Sequence, residues 1–532
     1  MCFADALVSI EKRMKISKID YRATGAFSSL LTDYIAQDPK LTPFYNRYPA
    51  LENFKSQMQE KQFSGEQRTN LINSLQRQYA SVLNIQAEVQ QNLELLKKPT
   101  TYTVTTGHQL NIFTGPLYFV YKIISTINLA KQLKSAYPEC DFVPVYWMAT
   151  EDHDFAEVNH FTLFGKPYSW ETDQKGAVGR FSTESMSELL ASLPEHYPLF
   201  EEAYTQSATL ADATRVITHA LFGQYGLVAI DGDDKELKQA FKPVIRKELQ
   251  EQSSQKLVNE VSDKLAEHYK PQVMSREINL FYLDENLRER LVLEDGQYKV
   301  LNTTLTFSPA EIEKLIEETP EKFSPNVILR PLYQEMVLPN LAYIGGGAEV
   351  TYWCQLKGVF DANGVTYPMV MLRNSALYIS KPNANRRQKL NLSIEDLFKD
   401  TAALKKQIMA QFEQEELTLE AERKQIESVF EQITQLANKV DPTLAKTVAA
   451  EAQKTQNSLM MLEKKLVKAN ETKYETYFSQ LTGLKEKLFP NGTLQERVDN
   501  LLTYQTNNPE FIQNLIEAFN PLENKFTVLE EE

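Results

Sequence analysis

Cysteine is almost missing from this chain: Cys2, Cys140 and Cys354 are the only three in 532 residues, and they lie far apart. With no Cys-x-x-Cys pair, a zinc ribbon and a disulfide framework are both excluded. Long apolar runs are missing as well. No stretch reaches about 18 apolar residues, so no membrane-spanning helix is expected. The opening MCFADALVSIEKRMKI lacks the ordered basic, apolar and small-residue regions of a secretory signal. Positive charge is scarce: 57 Lys and Arg face 71 Asp and Glu, a net charge of −14. Such a surface offers phosphate backbones little to bind, which argues against nucleic acid as a partner. These absences predict a reduced, cytoplasmic protein. Apolar residues at 42 % and charged residues at 24 % exclude a disordered or fibrous chain. The length predicts roughly two to four packing units.

Residues 1–100 read as an N-terminal helical region packing on a core. Within it, Ser64–Leu96 sets Leu71, Leu75, Tyr79, Val82 and Leu83 at the spacing of a helix face. Tyr102–Thr106 (YTVTT) is a β-branched and aromatic run ending at Gly107, which predicts a strand. A loop follows, then Thr114-Gly115-Pro116, with Pro116 in a helix's first turn and Thr114 or Gly115 as its cap. Leu117, Val120, Ile124 and Ile127 share one face of that helix, and Phe142–Met148 reads as a second buried strand. Strand, loop, helix, strand is the βαβ pattern of a parallel sheet, whose ligands sit beyond the carboxyl ends of the strands. An insertion at about residues 160–225 interrupts it, and Gly226–Ile230 supplies a third strand. Ile278–Leu283, Tyr298–Leu305 and Tyr367–Leu372 are further candidates for a doubly wound sheet, and the core is placed at 101–390.

Residues 391–488 read differently. Ile426, Val429, Ile433, Leu436 and Val440 step by 3, 4, 3 and 4, a heptad seam. Asp441-Pro442 breaks it, with Asp441 placed to cap and Pro442 at the first helical position. The return helix carries Leu444, Val448, Leu459, Leu462 and Leu466, which predicts an antiparallel coiled-coil arm. Its seam can also take a second copy, so a homodimer is expected. Residues 489–532 are expected to return to the core.

Three clusters carry candidate chemistry. Gly107-His108-Gln109 with Thr114-Gly115 forms a strand-to-helix loop, where backbone N–H groups can bind anions and His or Gln adds donors; a plain satisfied turn fits too. Glu151-Asp152-His153-Asp154-Phe155-Ala156-Glu157-Val158-Asn159-His160 packs four carboxylates and two imidazoles directly after a buried strand. Such acids favour the imidazolium, suited to proton transfer or anion binding. They could also hold a divalent metal, but the spacing is not the H-E-x-x-H of a helix, and no metal is predicted. In Asn326–Tyr352, Arg330 is a candidate carboxylate or phosphate clamp. Gly345-Gly346-Gly347 lets backbone approach a ligand, and Glu349 could accept from an ammonium or a sugar hydroxyl. Ser380-Lys381 with Arg386-Arg387 reads as a linker or a phosphate-contacting loop, and Asp231 and Asn279 are lesser candidates.

Taken in order, TGHQLNIFTGPLYFVYKIISTINLA, VPVYWMATEDHDFAEVNH and ILRPLYQEMVLPNLAYIGGGAEVTYW resemble the bacillithiol-biosynthesis cysteine-adding enzymes. Arg276–Leu283 and Phe489–Arg497 share the likeness. That resemblance implies an α/β fold: a Rossmann-like core related to class I aminoacyl-tRNA synthetases, with connective-peptide insertions and a helical coiled-coil arm. It sets Gly107-His108-Gln109 where those synthetases carry their HIGH signature, and makes Ser380-Lys381 a degraded KMSKS loop. The implied reaction is a ligase step joining L-cysteine to the amine of glucosaminyl malate, with ATP expected for carboxyl activation. On that footing His108 is counted as catalytic, and its loop, with Gly107, Gly115, Ser380 and Lys381, holds the nucleotide phosphates or the activated acyl group. His153, flanked by Asp152 and Asp154, takes the amine proton. Gln109, Thr114, Asn159, His160, Arg330, Gly345, Gly346 and Glu349 bind substrate. Two other classes stay open: a non-catalytic nucleotide-binding scaffold, and a metal-dependent hydrolase or transferase built on the EDHD cluster.

Overall fold

The computed structural model describes residues 14–412 and 418–532, so Cys2 and the opening segment lie outside the described residues. Two compact units are present: residues 14–378 with 493–530, and residues 379–492. The first unit is built on a five-stranded sheet of β1 (Thr101–His108), β2 (Asp141–Met148), β3 (Val228–Asp231), β4 (Asn340–Gly345) and β5 (Met369–Leu372). Every pairing is parallel, in the order β5-β4-β1-β2-β3. The strands are buried on both faces, which explains why they read as continuous β-branched and aromatic runs. The chain winds from β1 outward through β2 and β3, then returns to the other side of β1 as β4 and β5. The winding therefore reverses between β1 and β4, where doubly wound sheets open a ligand crevice beyond the strand ends.

Three helices complete the surroundings of that reversal: α1 (Tyr118–Ala136), α2 (Arg330–Val337) and α3 (Gly347–Trp353). α1 joins β1 to β2 and is apolar nearly all round, because it is covered twice. One side lies on the sheet. On the other, Asn128 Nδ2 donates to the carbonyls of Ile516 and Phe519, and Tyr121 packs edge-on against Phe519.

Several expectations need correction. β4 was not foreseen as a strand, yet it lies beside the sheet's central strand. Two expected sheet strands belong elsewhere. Leu280–Asp284 and Gln297–Val300 sit in a five-stranded antiparallel sheet with Leu287–Glu294, Thr306–Phe307 and Phe323–Pro325. The cause is Asp295-Gly296, both at positive φ, which makes the tight hairpin turn that antiparallel strands require. Ser64–Leu96 is two helices, Gly65–Gln78 and Ala87–Leu95, with left-handed Asn84 in the break. Pro116 precedes α1 instead of opening it, and neither Thr114 nor Gly115 caps the helix, whose N-cap is Leu117 with no side-chain bond.

The reason lies in the loop itself. Phe113, Thr114 and Gly115 are all left-handed (φ 51°, 68° and 59°), strain of about 1–3 kcal/mol at each non-glycine position. Surrounding contacts enforce it. Phe113 stacks on Phe161 and Phe200 from the 160–225 insertion, and its N–H donates to the Tyr204 hydroxyl. Buried Asn500 Nδ2 donates to the carbonyls of Phe113 and Gly115, 2.7 Å each.

In the second unit, α4 (Glu420–Val440) and α5 (Leu444–Leu488) form a hairpin bridged by Gln456 Nε2 donating to Arg423 O. Asp441 does not cap α5; its Oδ1 accepts from the Thr443 N–H and hydroxyl, and Pro442 stays in the turn. The return helix leaves the seam half open: Val429, Ile433, Leu436 and Val440 are between 41 and 75 % exposed.

Replacing Asn500 by Ala strips both strained carbonyls of their donor. A loss of about 2–3 kcal/mol in stability is expected, read from the urea unfolding midpoint.

Candidate active site

At the β1/β4 reversal a buried lysine organises the crevice. Lys122, on the second turn of α1, donates from Nζ to Gly107 O (2.5 Å) and to Glu349 Oε2 (2.6 Å). Glu349 is fully engaged: Oε1 accepts from the Tyr343 hydroxyl at 2.5 Å, and Oε2 also accepts from the Gly346 N–H at 2.8 Å. One ion pair thus ties β1, α1, β4 and α3 together. Burial lowers the Lys122 pKa, and Glu349 counters the shift. Burial would raise the Glu349 carboxyl, yet Lys122, Tyr343 and the Gly346 N–H bring it below its ordinary value.

Around the pair the charge is mostly positive. Arg330 opens α2 and lies over the Tyr343 ring; Nη1 donates to Gln334 Oε1, while buried Nη2 has no partner. Arg373 follows β5, donates to Glu496 at 2.7 Å and sits over the Tyr118 ring. His108 closes β1 against Phe119 and Tyr118, with buried Nε2 unpartnered. Burial first, then Lys122 and Arg373, push its pKa down to about 3, so His108 is neutral at physiological pH. A Cβ at Gly107 would lie 3.1 Å from the Tyr343 hydroxyl and 3.4 Å from Arg330 Nη1, so only glycine fits that wall comfortably.

The β2 end carries the second constellation. Gln109 Nε2 donates to Asp152 Oδ2 and Glu157 Oε2, both at 2.7 Å, coupling the β1 loop to the β2 loop. Asp152 Oδ1 accepts from the N–H groups of His153 and Asp154. Burial would raise Asp152, but His153, Arg288 and Gln109 hold it well below the usual carboxylate range. Arg288, from the antiparallel sheet, donates from Nη1 to His153 Nδ1 at 2.7 Å. Glu151 turns inward to pair with fully buried Lys238. Asp231, ending β3, accepts from the Thr150 hydroxyl and the Asp233 N–H; burial and Asp233 push its pKa up to about 7. Among the described residues, no group of three or more His, Cys, Asp or Glu side chains is arranged to hold a metal ion. No helix among them is long and apolar enough to cross a membrane.

Residues 14–374 match the family described as "Bacillithiol biosynthesis BshC, N-terminal Rossmann-like domain", and residues 376–531 its C-terminal coiled-coil domain. A relative from Flavobacterium psychrophilum named "Putative cysteine ligase BshC" is 45 % identical, covering 96 % of this chain and 98 % of its own. Relatives of the same name from Flavobacterium johnsoniae and Bacillus cytotoxicus are 44 % and 29 % identical, covering 96 % and 92 % of this chain and 99 % and 95 % of their own. The chain belongs to the BshC family of bacillithiol biosynthesis.

Within that family frame, the expected residues separate into groups. Gly107, His108, Arg330, Gly345, Gly346 and Glu349 meet at the β1/β4 reversal, and Gln109, Asp152 and His153 at the β2 end. Glu349, expected to take an ammonium, already holds that of Lys122. Asp154 is exposed, and Asn159 and His160 belong to the base of the hairpin His160–Leu163/Lys166–Ser169. Thr114 and Gly115 serve the strained loop. Ser380 and Lys381 fall in the second unit, at the start of the helix Lys381–Lys389. Sequence reasoning missed Lys122, Tyr343, Arg373, Arg288 and Lys238. Lys122 had a usable signal, a lone charge inside YFVYKIIS; Arg288 had none.

Asp231 gives a pH test. The folded protein keeps its proton up to about pH 7, whereas the ordinary value is 3.8, so this group costs stability as pH rises between the two. Asp231→Asn keeps the acceptor oxygen and removes the cost. Its melting temperature relative to the wild type is expected to climb from about pH 4 to about pH 7 in parallel thermal scans.

Proposed function

We propose that this chain is a ligase that joins the carboxyl of L-cysteine to the amine of glucosaminyl malate, the last step to bacillithiol. Family membership and the names of its relatives support a cysteine ligase. The observation that carries the substrate class is the enclosed cation set at the β1/β4 reversal, where Arg330 Nη2 and His108 Nε2 are buried without partners. Unpaired buried donors are costly unless a ligand completes them, and acceptor-rich anions do so.

Arg330 pairs with a malate carboxylate, and Lys122 supplies a fixed positive field. Neutral His108 forms a hydrogen bond without adding charge. Forming an amide from a free carboxylate runs uphill in water, and ATP supplies the activation. What supports its phosphates here is charge: Lys122, Arg330 and Arg373 outnumber the carboxylates Glu349 and Glu496 beside them. A biosynthetic step that consumes ATP supports a cytoplasmic location. The half-open α4 seam supports a homodimer through the arm, because exposed heptad positions bury best against another copy.

Purified protein given ATP, L-cysteine and glucosaminyl malate is expected to yield bacillithiol by mass spectrometry, and nothing when any one is omitted. Cells lacking the gene should lose the thiol and accumulate glucosaminyl malate; an unchanged thiol pool with no turnover in vitro overturns the reading. Arg330→Met is expected to raise KM for glucosaminyl malate roughly 10- to 100-fold, the worth of a charged hydrogen bond. For the arm, Leu436→Glu with Val440→Glu should convert dimer to monomer in sedimentation velocity.

A further inference from the structure

Arg288 has no place in the expected chemistry, yet it is among the most constrained cations in the described structure. It lies in the strand Leu287–Glu294 of the antiparallel sheet, a segment inserted between β3 and β4, and its side chain is 8 % exposed. Four contacts fix the guanidinium, beside an ion pair of Nη1 with Asp152 Oδ1 at 3.8 Å. Nε donates to the Ser324 hydroxyl at 3.0 Å, Nη2 to Pro325 O at 3.3 Å, and the plane lies 4.0 Å over the Phe281 ring. The fourth is the bond from Nη1 to His153 Nδ1. Phe281 also packs on the imidazole, 5.4 Å between centroids.

A guanidinium only donates, so the nitrogen facing it must offer a lone pair. A proton on Nδ1 would set N–H against N–H at 2.7 Å. The competing acceptor, Asp152 Oδ1, stands 3.6 Å from Nδ1, an ion-pair contact that requires a proton there and is much longer than the 2.7 Å to Arg288 Nη1; Oδ1 is also already bonded by two backbone N–H groups. Of the other carboxylates on that loop, Glu151 is committed to Lys238 and Glu157 to Gln109, while Asp154 is exposed.

We infer that Arg288 is a positioning residue that locks His153 with its proton on Nε2, making His153 a hydrogen-bond donor to an oxygen of the substrate. This rests on the ligase reading for the identity of that oxygen: a carboxylate or the carbonyl under attack. His153 is 45 % exposed on its side chain, and its ring hydrogen bond is made through Nδ1, which leaves Nε2 for such a ligand. The proton acceptor for the attacking amine is then another group, which reverses the role expected from the sequence. Developing negative charge on an acyl oxygen is what a pre-aimed donor stabilises best.

The full-length protein labelled with 15N-histidine tests this without substrate. The chain has six histidines, and His153→Gln assigns the signal. In the wild type at neutral pH, His153 should show a protonated Nε2 and a bare Nδ1. Arg288→Met should spread the proton over both nitrogens, and Arg288→Lys, which still donates, should restore the Nε2–H form. In turnover, Arg288→Met should lower kcat roughly tenfold or more with KM little changed, and Arg288→Lys should recover part of it. A wild-type His153 carrying its proton on Nδ1, or on both nitrogens, overturns the inference even if the variants fail to fold. Absence of ligase turnover would sink the functional reading and leave the tautomer measurement standing.

Discussion

The buried contact between Lys122 and Glu349 is the constraint on which the rest of the first unit depends. A lysine ammonium and a carboxylate removed from water are expensive individually, and their attraction repays the cost only when every remaining donor and acceptor is met. Here the carboxylate side is complete, with Tyr343 and the Gly346 N–H beside the ammonium, and two of the three ammonium N–H groups are met, by Glu349 and Gly107 O. Removing either partner would strand the other, a penalty of about 3–5 kcal/mol. The pair therefore specifies where β4 lies against β1 and how α3 leaves β4. It also explains the glycines. Gly107 is needed because Tyr343 and Arg330 come so close, and Gly345 because a Cβ there would lie 3.0 Å from Glu349 Cβ. Neither has positive φ. They are small for packing, and the ligand crevice inherits that wall.

A second consequence concerns the insertions. A parallel sheet by itself offers only strand ends and short loops, yet each loop at this site is held by chain from elsewhere. The aromatic side chains of the 160–225 insertion and Asn500 hold Phe113–Gly115 in left-handed backbone. The antiparallel sheet delivers Arg288 to His153. Gln109 then links the two strand-end loops by donating to acids of the second. The loops are thus preorganised by distant segments, and the Rossmann-like sheet serves as the frame on which they converge.

This division decides what could be read from the sequence. β1, β2, β3 and β5 were legible because each is a local apolar or β-branched run, and the EDHD loop because its acids adjoin such a run. β4 was hidden. Asn340–Gly345 lies between a helix ending at Val337 and a glycine triplet, and the triplet dominated its appearance. The antiparallel strands were recognisable as strands, but their sheet membership depended on Asp295-Gly296, a local hairpin signal that the parallel pattern obscured. Lys122 and Glu349 are 227 residues apart, and His153 and Arg288 135 apart. A lone lysine in an apolar run signals that some partner exists, but nothing local says which, so residue roles inferred from type alone, such as a free Glu349, missed the partner that occupies them.

The chain carries a net charge of −14, yet its candidate site is organised around cations. These facts are compatible because they act at different ranges. Surface carboxylates are screened over roughly 8–10 Å in physiological salt, whereas enclosed groups are not. Lys122, Arg330 and Arg373 gather at the strand reversal, with Glu349 and Glu496 already neutralised by two of them. That leaves Arg330 as the charge in surplus, and its Nη2 is a buried donor without a partner. The acidic exterior discourages polyanions too large to enter, and the interior retains one uncompensated cation for a small carboxylate or phosphate. What the enclosed site can hold thus depends on where the positive charge is buried, not on how much of it there is.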